Sequence, residues 1–362
     1  MNIQDKPTGT AGASEIDLSP LTAEILFLKK KLKGLIEENE HQKDAIRIHP
    51  YVKELEAKCE RLQGELDVVR EVLLSLPKLD TNPKFEDLAL EIPEQYRQKL
   101  DRDNIREEDL SDRQKSMRRD GVLRMPGLIS EEMCNAYWSK RTAIEHPEFS
   151  RYSGSYSLLK ECRDVLLHPE LVATATEFLD AEPALFLSLT GIKSSTRNWH
   201  QDYYLQEGYR NAGYVAVWVA VGDITEEMGP FQYVLGSHKW PVLRKELIFP
   251  HLSEEVRRGN WARDSEQWLA SLCEEKINSE KHDILTHLPK IGEALWWHPF
   301  LLHRGSRPID REILRPALIG HYKPASLLRA EGMELVRHEN GGLYAQRGDL
   351  MMRFSKEGVN VT

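Results

Sequence analysis

The chain is 362 residues long with a formal net charge of −9 and no long basic run, which excludes the electrostatic footprint of a nucleic-acid binder. No apolar run approaches the roughly 20 residues that span a bilayer, and the first residues lack a basic stretch followed by an apolar one. A cytoplasmic protein with no membrane partner is expected. Its four cysteines, Cys59, Cys134, Cys162 and Cys273, stand far apart with no C-x-x-C pair, so they read as free thiols rather than a zinc ribbon or a disulfide scaffold.

Residues 1–20 are rich in Thr, Ser, Gly and Ala, lack periodicity and read as a disordered lead-in. Over 21–76 the texture changes. Ile25, Leu28, Leu32 and Leu35 recur three and four apart, the register continues through Asn39, Gln42 and Ile46, and a second block runs from Val52 through Leu55, Cys59, Leu62, Leu66, Val69, Leu73 and Leu76. The blocks meet at Arg47-Ile48-His49-Pro50, where the proline disfavours helix at the residue before it and the register slips by one. The heptads predict either a helical hairpin within one chain or kinked coiled-coil helices from several chains. A homo-oligomer assembled through 21–76 is the expectation, and a helical pack against the chain's own main domain the alternative.

Residues 77–112 are charged and proline-punctuated, and read as a linker with short helices ahead of a main domain at 113–326. That domain opens with a short apolar strand, a Pro-Gly turn, and Ser130 as N-cap of a helix with Glu131 and Glu132 in its first turn. Beta-like runs follow: PALFLSLTGI, YVAVWVAVGDI, PFQYVLG, EALWWHPFLLH and RPALIGHY. Helices do not alternate with them at regular spacing, which argues for an antiparallel barrel or jelly roll over a doubly wound parallel sheet. Residues 240–290 are polar and helix-prone, and read as an inserted helical lid; 327–362 form a C-terminal extension. No glycine-rich phosphate loop and no repeat of 20–50 residues occurs.

The chemistry concentrates at NWHQDYYLQEGY. On a strand, His200 and Asp202 would project the same way with about 6–7 Å between their alpha carbons, a spacing that suits two ligands of one metal. A carboxylate and two imidazoles make the facial triad of non-haem Fe(II) sites. For the second histidine the chain offers His238, His251, His298, His303 and His321. His303 is preferred because it ends the apolar run of FLLHRGS where the chain opens into a Gly-Ser turn, while His298, five residues earlier, would face the other way. Three ligands leave three positions open, two for a 2-oxo acid and one for dioxygen. The remote carboxylate of such a co-substrate calls for a rigid bidentate cation, and Arg315, twelve residues after His303, supplies one at the head of RPALIGHY.

These parts, in this order, resemble the phytanoyl-CoA dioxygenase family of Fe(II)/2-oxoglutarate-dependent oxygenases over roughly 115–325. The matching stretches are DGVLRMPGLIS from Asp120, WHQD from Trp199, VWVAVGDITEEMGPFQYVLGSHKW from Val217, and HRGS from His303, followed by Arg315. The resemblance implies a mainly β fold with added helices, a double-stranded β-helix (cupin-like jelly roll) preceded here by the coiled-coil segment. It implies iron on His200, Asp202 and His303, 2-oxoglutarate held by Arg315, and Trp218 beside that co-substrate. Arg311 is a competing clamp. Asp202, which the family's halogenating branch replaces with a small residue, is present, so hydroxylation of a small-molecule substrate with O2 is expected, with desaturation, epimerisation or cyclisation as alternatives. A silent scaffold acting through its coiled coil is the reading from another class. Around the site, His238 is expected to be a structural loop residue, Trp296 and Trp297 sheet core, and His321 a core histidine bonded to backbone. One of Tyr203 and Tyr204 is expected to face the substrate chamber.

Overall fold

The computed structural model describes residues 58, 60–64, 82–144, 154–195, 197–205, 213–259 and 261–346, and the chain divides into two units, 1–77 and 78–362. Of the first unit only 58 and 60–64 are described, in helical conformation. The lead-in at 1–20, the heptads and the oligomer expected of 21–76 otherwise lie outside the described residues.

In the second unit the strands are, in chain order, β1 Ala89–Leu90, β2 Val122–Met125, β3 Pro183–Thr190, β4 Val215–Ala220, β5 Phe231–Val234, β6 Val242–Leu243, β7 Ile284–His287, β8 Ala294–Trp297, β9 His303–Gly305, β10 Ala317–Pro324, β11 Leu335–Arg337 and β12 Leu343–Ala345. Seven form one sheet in the order β11-β12-β3-β10-β4-β8-β2, three form a second in the order β7-β5-β9, and β1 pairs with β6. Among the described residues every neighbouring pair is antiparallel except β12 on β3.

Strand β4, Val-Ala-Val-Trp-Val-Ala, contains no polar residue, because neither of its faces meets water. Val215, Val217 and Val219 share one core cluster with Leu171, Ala175 and Phe178 of the helix Pro169–Leu179. Ala216, Trp218 and Ala220 share another with Phe231 and Tyr233 of β5. The large sheet thus carries helices on one face and the small sheet on the other. Ser130 caps the helix Glu131–Thr142 as expected, its hydroxyl accepting from the Met133 N–H at 3.2 Å. Cys134, Cys162 and Cys273 are buried free thiols.

Several boundaries differ from the sequence reading. The run EALWWHPFLLH is not one strand: β8 stops at Trp297, a turn closed by Leu301 N–H on the His298 carbonyl (2.9 Å) intervenes around Pro299, and His303 opens β9 instead of ending an apolar strand. Residues 82–112 do form short 3₁₀ turns, but they are not a loose linker. Phe85, Leu88, Leu100 and Leu110 are buried, and Gln98 donates to the Tyr214 carbonyl at 2.7 Å. Apolar residues spaced too irregularly for an amphipathic helix still found a surface to cover. The 240–290 insertion holds the helix Trp261–Glu280, yet its last strand, β7, belongs to the small sheet by pairing with β5. The C-terminal extension likewise joins the large sheet through β12.

Gly292 turns the chain into β8. Its φ is +81°, and a Cβ there would lie 2.1 Å from the Ile129 carbonyl oxygen, which belongs to the residue whose N–H donates back to Gly292. Gly292→Ala is therefore expected to lower the unfolding free energy by roughly 2–4 kcal/mol, read as a lower urea midpoint at unchanged slope.

Burial holds two structural histidines neutral, His238 down to about 3, with help from neighbouring His298, and His287 down to about 4, with help from Arg124. The unfolded chain would protonate both near pH 6.5, so their contribution is complete above that pH and is lost as pH falls toward 4 and 3. Denaturant titrations at pH 7.5 and pH 5 should show about 4 kcal/mol less stability at the lower pH from this pair.

Candidate metal centre

His200 and His303, far apart in sequence, face each other through a two-residue antiparallel bridge in which each N–H donates to the other's carbonyl at 3.0 Å. Their rings lie 4.3 Å apart between centroids. Asp202 does not continue a strand from His200, as the alternation argument assumed; it begins a 3₁₀ turn, Asp202–Leu205, that swings its carboxylate back toward both rings. Its Oδ1 is 3.5 Å from His200 Nε2 and its Oδ2 is 3.7 Å from His303 Nε2. Gln201 between them is buried and structural, donating to the Phe300 carbonyl (2.9 Å) and accepting from the Leu243 N–H (2.9 Å).

The donor atoms of His200, Asp202 and His303 all lie within 4.8 Å of one another. The Nδ1–H of His200 donates to the Asn198 carbonyl at 2.6 Å, and that of His303 to the Leu301 carbonyl at 2.9 Å. Each backbone carbonyl fixes the tautomer that leaves an Nε2 lone pair turned inward, as a metal ligand requires. Burial, then repulsion from His200, pushes the His303 imidazole down to about 3, so it stays neutral. Burial alone would raise the Asp202 carboxyl, but His303, His200 and Arg197 together hold it well below the usual carboxylate range. The set is one carboxylate and two imidazole nitrogens, the donor chemistry of a divalent iron site. A second cluster, Asp164, His338 and Glu339, also has its donors within 4.8 Å, but Lys160 already pairs with Asp164 (2.8 Å) and Glu339 (2.6 Å).

Arg315 stands at the head of β10, 5% exposed, donating from Nη1 to the Gly229 carbonyl (2.9 Å), from Nε to Gly191 (3.3 Å) and from Nη2 to Lys193 (3.4 Å). Burial brings its guanidinium down to about 10, still charged at neutral pH. It has no carboxylate partner among the described residues. Gly229 leads into β5, whose Phe231 ring lies 5.1 Å from that of His303. Trp218 is fully buried on the β4 face toward β5, its ring 5.5 Å from that of His287. Arg311, the competing clamp, lies in an exposed stretch.

His298 points away from the triad, pairing through Nε2 with Asp101 (3.0 Å) and accepting at Nδ1 from the Phe300 N–H (3.2 Å). His238 is buried beside it, with Nε2 bonded to the Arg118 carbonyl at 3.1 Å. Tyr203 packs on Phe300 with Ile92 and Val242, not into a chamber, and the Tyr204 side chain is outside the described residues. His321 is not bonded to backbone as expected: its ring sits among Tyr214, Phe186 and Trp297.

Sequence reasoning missed three residues that surround Asp202. Trp297 donates its indole N–H to Oδ2 at 3.4 Å, Arg197 places Nη1 3.8 Å from Oδ1, and Tyr214 shares the carboxylate's buried environment, which holds its hydroxyl protonated well above the usual range. Period-two alternation gives the signal for Trp297, since it lies on the same β8 face as Leu295 and so on the face of Trp218.

The sequence profile of the phytanoyl-CoA dioxygenase family matches residues 117–309. No curated protein matches the chain. Among solved structures the chain is similar to the alpha-ketoglutarate-dependent epimerase SnoN from nogalamycin biosynthesis (17% identity, 58% of this chain and 81% of that one, TM-score 0.41). It is similar to the non-heme monooxygenase ThoJ (16%, 59% and 77%, 0.42) and to HygX from Streptomyces hygroscopicus (18%, 58% and 84%, 0.41). Likeness at this level speaks to neither substrate nor outcome. The family profile, spanning over half of the chain, is decisive: the chain belongs to the phytanoyl-CoA dioxygenase family, whose members use Fe(II), 2-oxoglutarate and O2.

The geometry separates His303 from His298 by experiment. In a metal titration His303→Ala should weaken binding by about 100-fold or more, since it removes one of three ligands. His298→Ala should leave affinity within a few-fold of wild type while costing about 3 kcal/mol of stability, because it strands Asp101.

Proposed function

We propose that this member of the phytanoyl-CoA dioxygenase family hydroxylates an unactivated C–H bond of a small-molecule or conjugated metabolite. Fe(II) would sit on His200, Asp202 and His303, with 2-oxoglutarate anchored by Arg315. Arg315 carries the reading. A guanidinium 5% exposed and met only by backbone carbonyls among the described residues is a cation in want of an anion. The distal carboxylate of a 2-oxo acid matches its two-pronged donor geometry.

The double-stranded β-helix fits this reading, supported by two mainly antiparallel sheets packed face to face with the triad on β9 and on the loop bridged to it. When bound, iron with 2-oxoglutarate and O2 supplies the oxidising power, releasing succinate and carbon dioxide. The chain's own residues orient and exclude. The Asn198 and Leu301 carbonyls keep both imidazoles in the ligating tautomer. Phe231 and Trp297, whose rings approach His303 at 5.1 and 5.7 Å, form an aromatic wall that keeps water off that side. Trp218, on the same buried face, is assigned to the co-substrate side of the site. Residues 21–76 are assigned to assembling copies of the chain, on their heptads alone.

Anaerobic addition of Fe(II) and 2-oxoglutarate should produce a weak visible charge-transfer band. Asp202→Ala should abolish it, and Arg315→Ala should raise the 2-oxoglutarate concentration needed by at least about ten-fold, the loss of a charge-assisted bidentate contact. A wild type without the band, or a band undiminished in both variants, contradicts the assignment. Succinate release across a metabolite panel then identifies the substrate.

A further inference from the structure

The helix Trp261–Glu280 touches both segments that carry the triad. Its Glu266 carboxylate, 2% exposed, accepts from Arg197 Nε at 2.8 Å and also from Nη2. Its Cys273 thiol lies 3.9 Å from the Trp199 carbonyl, next to His200. Its Glu274 lies 3.7 Å from Arg304, next to His303, and the Arg304 guanidinium covers the Trp199 ring at 4.3 Å. The helix reaches Asp202 itself through the guanidinium of Arg197, whose Nη1 is 3.8 Å from Asp202 Oδ1.

A guanidinium beside the one anionic ligand of a divalent cation poses an electrostatic problem. It stabilises the carboxylate without metal and repels the ion that the carboxylate should attract. Glu266 answers this from the far side. It takes two donors of the same guanidinium, brings the charge of the pair near zero, and leaves toward Asp202 a contact too long for a strong hydrogen bond.

We propose that Glu266 is a positioning residue for the metal centre: it holds Arg197 so that Asp202 keeps an oriented neighbour, and it cancels the positive charge that would otherwise oppose a divalent cation. The inserted helix is in this respect a brace for the metal site. The inference rests on the reading of His200, Asp202 and His303 as that site.

The test is Co(II) titration of the full chain at pH 7, followed by visible absorption of the bound ion, with thermal melting as the control for folding. Glu266→Gln should bind Co(II) on the order of ten-fold more weakly, because it removes the carboxylate charge that faces the Arg197 guanidinium beside Asp202. The double variant Glu266→Gln with Arg197→Gln should return to within about three-fold of wild type, and added salt should narrow the deficit of the single variant. A merely structural tie would leave the double variant at least as weak as the single. Should Glu266→Gln fail to fold, Arg197→Lys keeps the charge but gives up the two-donor contact, and several-fold weaker binding is expected. A folded Glu266→Gln with wild-type affinity, a double variant as weak as the single, or an unaffected Arg197→Lys would overturn the inference alone. A wild type that bound no Co(II) would remove the metal-centre reading itself.

Discussion

The paired backbone hydrogen bonds between His200 and His303 set the geometry on which the site depends. Side-chain ligands can rotate away, but this bridge fixes the two alpha carbons across an antiparallel step, and the local carbonyls of Asn198 and Leu301 then fix the rings. Only Asp202 is left to be placed, and the 3₁₀ turn that begins with it does so. The bridge is in turn held by the sheets. Tyr233 of β5 is in register with His303, and Gln201 ties the other side of the bridge to Leu243 and Phe300.

Around this point the protein manages a concentration of buried charge. Asp202 is met by two imidazoles, an indole N–H and a guanidinium, while Arg315 meets only backbone carbonyls among the described residues. Asp202 is held by partners from within the chain, whereas Arg315 has no carboxylate partner among the described residues.

The sequence showed the parts of the site whose side chains have few other uses. His200, Asp202 and His303 were legible because metal donors at a short spacing, followed by a third at a chain opening, are an uncommon pattern. Arg315 was singled out for its place at the head of RPALIGHY, and the structure finds it buried with only backbone carbonyls around its guanidinium among the described residues. The geometry that unites them was not legible. The alternation argument reached His200 and Asp202 by treating a bridge and a turn as one strand, and it put His303 at the end of a strand it in fact begins. Arg197 and Glu266 stayed invisible because a salt bridge between a loop and a distant helix leaves no periodic trace. The strands themselves were readable from their apolar runs, since β4 and β10 are covered on both faces, whereas the packing within the linker expected over 77–112 was not, because its apolar residues are irregularly spaced.

That last segment bears on where the smallest self-sufficient catalytic body begins. Leu88 hands its carbonyl to the buried Arg244 N–H, Arg118 donates to the carbonyls of Arg102 and Ile105, and Asp101 holds His298 at the turn between β8 and β9. A chain cut at residue 113 would keep every proposed ligand and still lose the strap that secures the turn immediately before His303. Trimming to residue 113 would therefore be expected to cost this unit stability while leaving His200, Asp202 and His303 in the chain.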